Sequence, residues 1–184
     1  MQRELIERAR RGDHEAFTAL AAASVDHLYA LATLVLRDRT AAEDAVQETL
    51  VRMWRDLSKL RDPDKYQPWL NRLLMNSCAD AWRLRRRRAA EVHLLPTHDV
   101  AIPDPTYDLP QRDTLNRAFR RLSVDHRAVI VLRYYVGMSV PDIAAAISVP
   151  LGTAKSRIHH AERALRAALE AEGRSAGNAG SSLA

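Results

Sequence analysis

The chain has 184 residues, enough for one ordinary domain or two small ones. Hydrophobic residues make up 47%, which excludes a disordered chain, while six glycines and a 5% aromatic share argue against a strand-rich sandwich or barrel. The formal net charge is only +5, and a single cysteine, Cys78, excludes an internal disulfide or a cysteine-rich zinc site.

Ala, Leu and Arg dominate, all strong helix formers, so an all-α fold is expected. The first residues, Met1-Gln2-Arg3-Glu4, are charged from the start and do not form a secretory signal. No uninterrupted run of 18 apolar residues offers a membrane span, so the expectation is a cytoplasmic chain without membrane insertion.

Asp13 is placed to cap a helix whose Phe17, Leu20, Leu28, Leu31 and Val35 face a core. Thr40-Ala41-Ala42-Glu43 reads as a capping box. The helix it opens repeats apolar residues at Val46, Leu50, Met53, Trp54 and Leu57, and shows Asp44, Gln47 and Glu48 on its other face. After a break at Arg61-Asp62-Pro63-Asp64-Lys65, a further helix runs from about Pro68 to Arg88, with Pro68 suited to its first turn.

Residues 89–111 hold no Lys or Arg, four acids and four of the eight prolines, a density that blocks helix and sheet bonding and favours extended chain. This stretch reads as a flexible acidic linker. It separates 1–88, with 17 basic and 13 acidic residues, from 112–184, with 11 and 6. The charge is therefore +4, −4 and +5 along the chain.

Beyond the linker a helix spans about 113–121. Ser123 caps the next, with Val129, Ile130 and Leu132 inside, and Gly137 stops it. Ser139-Val140-Pro141-Asp142 restarts a short helix, Val149-Pro150-Leu151-Gly152 makes a turn, and the last helix buries Ala154, Ile158, Ala161, Leu165 and Leu169. Two short helices, a tight turn and a longer helix form a helix-turn-helix pattern. Residues 173–184 are Gly-, Ser- and Ala-rich and read as a disordered tail.

Two stretches carry nucleic-acid chemistry. On the last helix Lys155, Ser156, His159, His160 and Arg163 form one stripe of donors, the arrangement by which a helix reads a major groove. Gly152 and Thr153 open that helix with backbone N–H groups suited to a phosphate. The other stretch is Arg83-Leu84-Arg85-Arg86-Arg87-Arg88, whose five arginines exceed what a helix dipole needs and suit phosphates. Upstream, Asn76 and Asp80 share a helical face with Arg83; Asn and Arg are able to read bases, and the Asp to orient the Arg.

Nothing points to catalysis or to a cofactor. His93 and His98 have no cysteine nearby, and His159 and His160 point about 100° apart on a helix, too far to share a metal. No nucleophile elbow, phosphate loop or metalloprotease helix is present.

Two segments carry a resemblance. The first is Ala42-Glu43-Asp44-Ala45-Val46-Gln47-Glu48-Thr49-Leu50-Val51-Arg52-Met53-Trp54, followed by Trp69-Leu70 and by Asn76, Asp80 and Arg83. The second runs from Leu122 to Tyr134, then Asp142-Ile143-Ala144, then Pro150-Leu151-Gly152-Thr153-Ala154-Lys155-Ser156-Arg157. They resemble regions 2 and 4 of bacterial RNA polymerase sigma factors of the sigma-70 family, extracytoplasmic function (ECF) group. The order and the linker between them fit that family. Ser123 stands where the family usually has Pro, and Glu162 where it often has a basic residue.

The resemblance implies two small helical domains, a region 2 bundle at 1–88 and a region 4 helix-turn-helix at 112–172. It implies that Asp44, Gln47 and Glu48 dock on the β′ clamp helices of core RNA polymerase and that the second domain meets the β flap. Asn76, Asp80, Arg83, Arg86 and Arg87 would bind the −10 promoter element as it melts, with Tyr66 or Trp69 stacking on a flipped base. Thr153, Lys155, Ser156, His159, His160 and Arg163 would read the −35 element. The family also implies an anti-sigma partner. The rival reading is a stand-alone helix-turn-helix regulator that uses residues 1–88 to sense a signal or dimerise.

Overall fold

Helices α1 (Gln2–Arg10), α2 (His14–Leu36), α3 (Arg39–Asp56) and α4 (Tyr66–Glu91) build one unit of a computed structural model. Helices α5 (Pro110–Arg120), α6 (Val124–Ile130), α7 (Val140–Ala146) and α8 (Leu151–Ser181) build a second. The structure describes the backbone of residues 2–91 and 110–181, and the side chains of residues 2–87 and 114–174. No strand occurs among the described residues, as the composition requires. Most of the expected linker, residues 92–109 with His93 and His98, lies outside the described residues, and so do residues 182–184.

Local chemistry sets the helix ends. Gly12, at φ +92, turns the chain out of α1. Asp13 then caps α2, accepting from the Ala16 N–H at 3.0 Å and from Arg8 Nε at 2.8 Å. One carboxylate thus closes α2 and ties α1 to it, and these bonds, the Ala16 N–H first, hold its carboxyl below the usual range. The expected capping box at Thr40 does not form. The cap is Asp38, which accepts from the Ala41 N–H at 2.8 Å and lets α3 begin at Arg39. A carboxylate at this positive helix end is a stronger acceptor than a hydroxyl.

The first core is where α2, α3 and α4 meet. Leu28, Leu31, Met53, Leu57, Leu70 and Leu74 are fully buried there. By length and composition α2 is apolar enough to cross a membrane; in this fold it is a core helix, packed against α1, α3 and α4. Trp54, expected inside, is 47% exposed: its ring lies edge-on to Phe17 at 4.7 Å and beside His14 at 4.9 Å, on the outer surface of α3.

In the second unit Ser123 caps α6 as expected, and Ser139 caps α7 where a helix restart was expected, accepting from the His126 and Asp142 N–H groups respectively. The chain leaves α6 through a π-helical turn, Val131–Tyr135, and Gly137, at φ +78, ends that segment. The turn before α8 sits earlier than expected. Its left-handed residue is Ser148, at φ 55, and Leu151 and Gly152 already belong to α8. Replacing Ser148 with Gly removes the steric cost of that conformation and raises stability by about 0.5 kcal/mol, read as a higher Tm. An unchanged or lower Tm rejects that account.

The expected disordered tail is a correction: α8 continues as helix to Ser181. Its middle turns, Ala164 to Glu172, are Ala-, Leu- and Glu-rich, and Glu172 there is buried against α5. Glu172 accepts from Arg117 Nε at 2.7 Å and also pairs with Arg121.

The two units touch. Arg127 of α6 is only 6% exposed, and its Nε donates to the Val35 carbonyl of α2 at 2.6 Å while Nη1 donates to the Leu122 carbonyl at 2.9 Å. Helix α7 packs on α4. A cleft of about 350 Å³ between the units is lined by Asn76, Trp82 and Arg83 on one side and Ser148, Val149 and Arg157 on the other.

Candidate nucleic-acid and polymerase interfaces

Helix α8 sorts its residues by face. Ala154 and Ala161 are completely buried and Ile158 nearly so, which lets α8 lie close on α6 and α7. Thr153, Lys155, Ser156, His159, His160 and Arg163 are all exposed. The His159 and His160 ring centroids lie 5.9 Å apart, so the two imidazoles widen the stripe rather than converge. The Ala154 N–H bonds to the Pro150 carbonyl at 3.0 Å, so the N–H groups of residues 151–153, in the first turn, have no acceptor within the helix. Donors and helix end together present hydrogen-bond chemistry suited to an anionic partner. Glu162 interrupts the basic character and instead accepts from the Tyr134 hydroxyl at 2.5 Å.

Helix α4 carries the second surface. Asp80 holds two guanidinium groups at once: Oδ1 accepts from Arg83 Nη1 at 2.7 Å and Oδ2 from Arg52 Nη2 of α3 at 2.9 Å. Arg86 stacks over the Trp82 ring at 5.3 Å, and Arg87 is exposed. The arginine run is not uniform. Arg85 turns back to pair with Asp38 at the start of α3. Burial alone would push the Asp38 carboxyl up, but the Ala41 N–H and Arg85 outweigh it and hold the group below the ordinary range. Arg85 is therefore a fastening between α4 and α3.

Tyr66 requires a correction. It is 2% exposed, with its hydroxyl 3.2 Å from Ser24 Oγ and 3.6 Å from Met53 Sδ, so its ring is core and is not offered to a base. Spacing could not reveal this, because the first turn of α4 tucks beneath α2 only in the folded bundle. Trp69 is half-buried with its ring 6.1 Å from that of Tyr66.

A third surface lies on α3. Asp44, Gln47 and Glu48 are exposed, and Val51 and Trp54, at 58% and 47% exposure, extend the same stripe. The acidic residues were legible in the sequence; the two apolar ones were not, since Trp54 fits the core periodicity as well. A fourth feature is an apolar groove of about 620 Å³, bounded by Leu34 of α2 and by Leu115, Phe119, Tyr134, Leu165 and Leu169 of the second unit. Tyr134 and Tyr135, each more than 60% exposed, stand at its edge.

Burial pushes the Cys78 thiol up to about 12, far from a nucleophile's range. No cluster of three or more His, Cys, Asp or Glu able to hold a metal occurs among the described residues.

Comparison with known proteins agrees with this division. Residues 20–88 match sigma-70 region 2 and residues 112–165 match sigma-70 region 4. The ECF RNA polymerase sigma factor SigL of Mycobacterium tuberculosis is 35% identical over 78% of this chain and 82% of its own. The ECF RNA polymerase sigma factor SigW of Bacillus subtilis is 28% identical over 90% of this chain and 95% of its own. The sigma factor RpoE of Bartonella quintana, solved in complex with the anti-sigma factor NepR, superposes with a TM-score of 0.72 at 28% identity, covering 84% of this chain and 96% of that one. With both regions matched in order on two helical units, the chain belongs to the sigma-70 family, ECF group, and is a promoter-recognising RNA polymerase sigma factor rather than a stand-alone regulator.

Proposed function

We propose a division of labour among the four surfaces. Thr153, Lys155, Ser156, His159, His160 and Arg163 on α8 read the −35 element. Asn76, Arg83, Arg86 and Arg87 on α4 hold the −10 element as it melts, with Asp80 orienting Arg83. Asp44, Gln47 and Glu48, extended by Val51 and Trp54, dock on the β′ clamp helices. The apolar groove beside Tyr134 receives the β flap. The observation that carries this reading is the sorting of α8, where every donor of the stripe is exposed opposite Ala154, Ile158 and Ala161.

Each DNA contact is modest alone. Linking two of them on one polymerase multiplies their affinities through effective concentration. Melting then follows from capture of unstacked bases, with no bond-making step. Likeness to a sigma factor solved with an anti-sigma factor supports a partner of that kind here, and the reading as a polymerase subunit supports a cytoplasmic setting and a non-enzymatic role.

The test is run-off transcription with core polymerase on promoter variants. Lys155→Ala lowers transcription about 10-fold on templates that depend on the −35 element, through loss of about 1–3 kcal/mol, and leaves co-purification with polymerase intact. Asp44→Arg does the opposite, weakening co-purification while −35 discrimination in the residual complex stays. Equal transcription from every −35 variant by the unaltered chain, or unchanged co-purification of Asp44→Arg, rejects the corresponding assignment.

A further inference from the structure

Four charged side chains of alternating sign run from the outer face of α3 to the arginines of α4. Glu48 Oε1 accepts from Arg52 Nε at 2.7 Å, Arg52 Nη2 donates to Asp80 Oδ2 at 2.9 Å, and Asp80 Oδ1 accepts from Arg83 Nη1 at 2.7 Å. One end, Glu48, belongs to the polymerase-facing stripe. The other, Arg83, belongs to the DNA-facing one. Arg52 belongs to neither, and its side chain is the least exposed of the four, at 21% against 48%, 50% and 61%.

From this chain we infer that Arg52 is a positioning residue that sets how far Arg83 is available to DNA according to whether Glu48 is engaged. The inference rests on the roles proposed above for Glu48 and Arg83. Arg52 divides its fork between two carboxylates, and Asp80 divides its two oxygens between two guanidinium groups. Each bond therefore competes with its neighbour. When a cation of the polymerase takes Glu48, Arg52 turns its donors to Asp80. Asp80 then holds Arg83 less tightly, and the Arg83 fork turns to a phosphate or base edge. Without Arg52, Asp80 closes on Arg83 with both oxygens and withholds it. The coupling is reciprocal, so DNA on Arg83 equally favours docking at Glu48. Geometry makes Arg the residue for the position: its planar fork bridges two carboxylates at once, whereas a Lys ammonium is a compact point charge.

The experiment measures fluorescence anisotropy of a labelled mixed-sequence single-stranded DNA, about 16 nucleotides long, titrated with the full chain at low salt. Exposed pairs of this kind shift equilibria severalfold at most. Glu48→Gln imitates engagement and tightens binding about threefold. Arg52→Gln weakens it about threefold, and in that background Glu48→Gln has no further effect while Asp80→Asn restores affinity. Arg52→Lys keeps the charge yet behaves like Arg52→Gln. Glu43→Gln, which removes an acid of α3 outside the chain of pairs, sets the size of the bulk charge effect.

Two results overturn the inference. One is additivity, in which Glu48→Gln tightens binding equally with and without Arg52. The other is wild-type binding by Arg52→Lys in a protein whose Tm is unchanged. Failure of the underlying reading looks different, because Arg83→Ala would then leave DNA binding unaltered in every background.

Discussion

Replacing Arg127 with Met destabilises the chain by about 2–4 kcal/mol and uncouples the unfolding of its two helical units. The guanidinium is almost wholly buried and gives one donor to Val35 of the first unit and another to Leu122 of the second. The Val35 carbonyl lies in the last turn of α2, where carbonyls lack intrahelical partners and the dipole favours a cation. Hydrogen bonds to a charged group contribute about 1.5–3 kcal/mol each, and Met, of similar length, leaves the buried carbonyls unpaired.

The readout is built into the composition. All three tryptophans, Trp54, Trp69 and Trp82, belong to the first unit, whereas helical circular dichroism reports both. In urea the unaltered chain gives coincident transitions by the two probes; Arg127→Met separates them, the fluorescence midpoint standing apart from that of the dichroism. Coincident midpoints unchanged by the substitution reject the role given to Arg127. The contact has a functional side as well. Asn76 and Arg83 line the cleft beneath the α7–α8 turn, so the contact also sets the surroundings of the α4 residues proposed to hold the −10 element.

Glu172→Ala is expected to cost about 2–3 kcal/mol, confined to the second unit. Its side chain, 7% exposed, holds Arg117 and Arg121 of α5 against the middle of α8. Breaking a buried pair costs about 3–5 kcal/mol when the orphaned partner stays buried. Here the arginines are 38% and 55% exposed and rehydrate, which lowers the figure. With Arg127 in place both midpoints fall together; in the Arg127→Met background the dichroism midpoint falls while tryptophan fluorescence moves little. A fall in both signals to the same extent in that background would mean that the clamp serves the whole chain.

Much of this was legible in the residues. Asp13, Ser123 and Ser139 announced their helix starts because an N-cap depends on one side chain and the N–H groups beside it. The α8 stripe was legible for a similar reason: a helix face follows from spacing alone. Asp80 and Arg83 share a helical face and bond to each other, but the second hold of Asp80, on Arg52, spans 28 residues and leaves no mark in local spacing. Trp54 and Tyr66 were exchanged between surface and core. Trp54 fits an apolar period and Tyr66 was placed at the DNA by the resemblance alone; only the packing of the bundle decided that Ser24 and Met53 would receive the tyrosine hydroxyl while the indole stayed outside.

The sequence by itself determined the all-helical class, the two families of helices, the basic–acidic–basic division and the identity of the exposed donor side chains on α8. These depend on propensity, capping and period, all of which act over a few residues. Only the tertiary structure decided which arginines of the α4 run remain outward, where Glu172 finds its partners, and that Arg127 reaches across 92 residues to α2. Those outcomes turn on desolvation and on the pairing of charges brought together by packing, and such pairs are set by distance in space rather than by order along the chain.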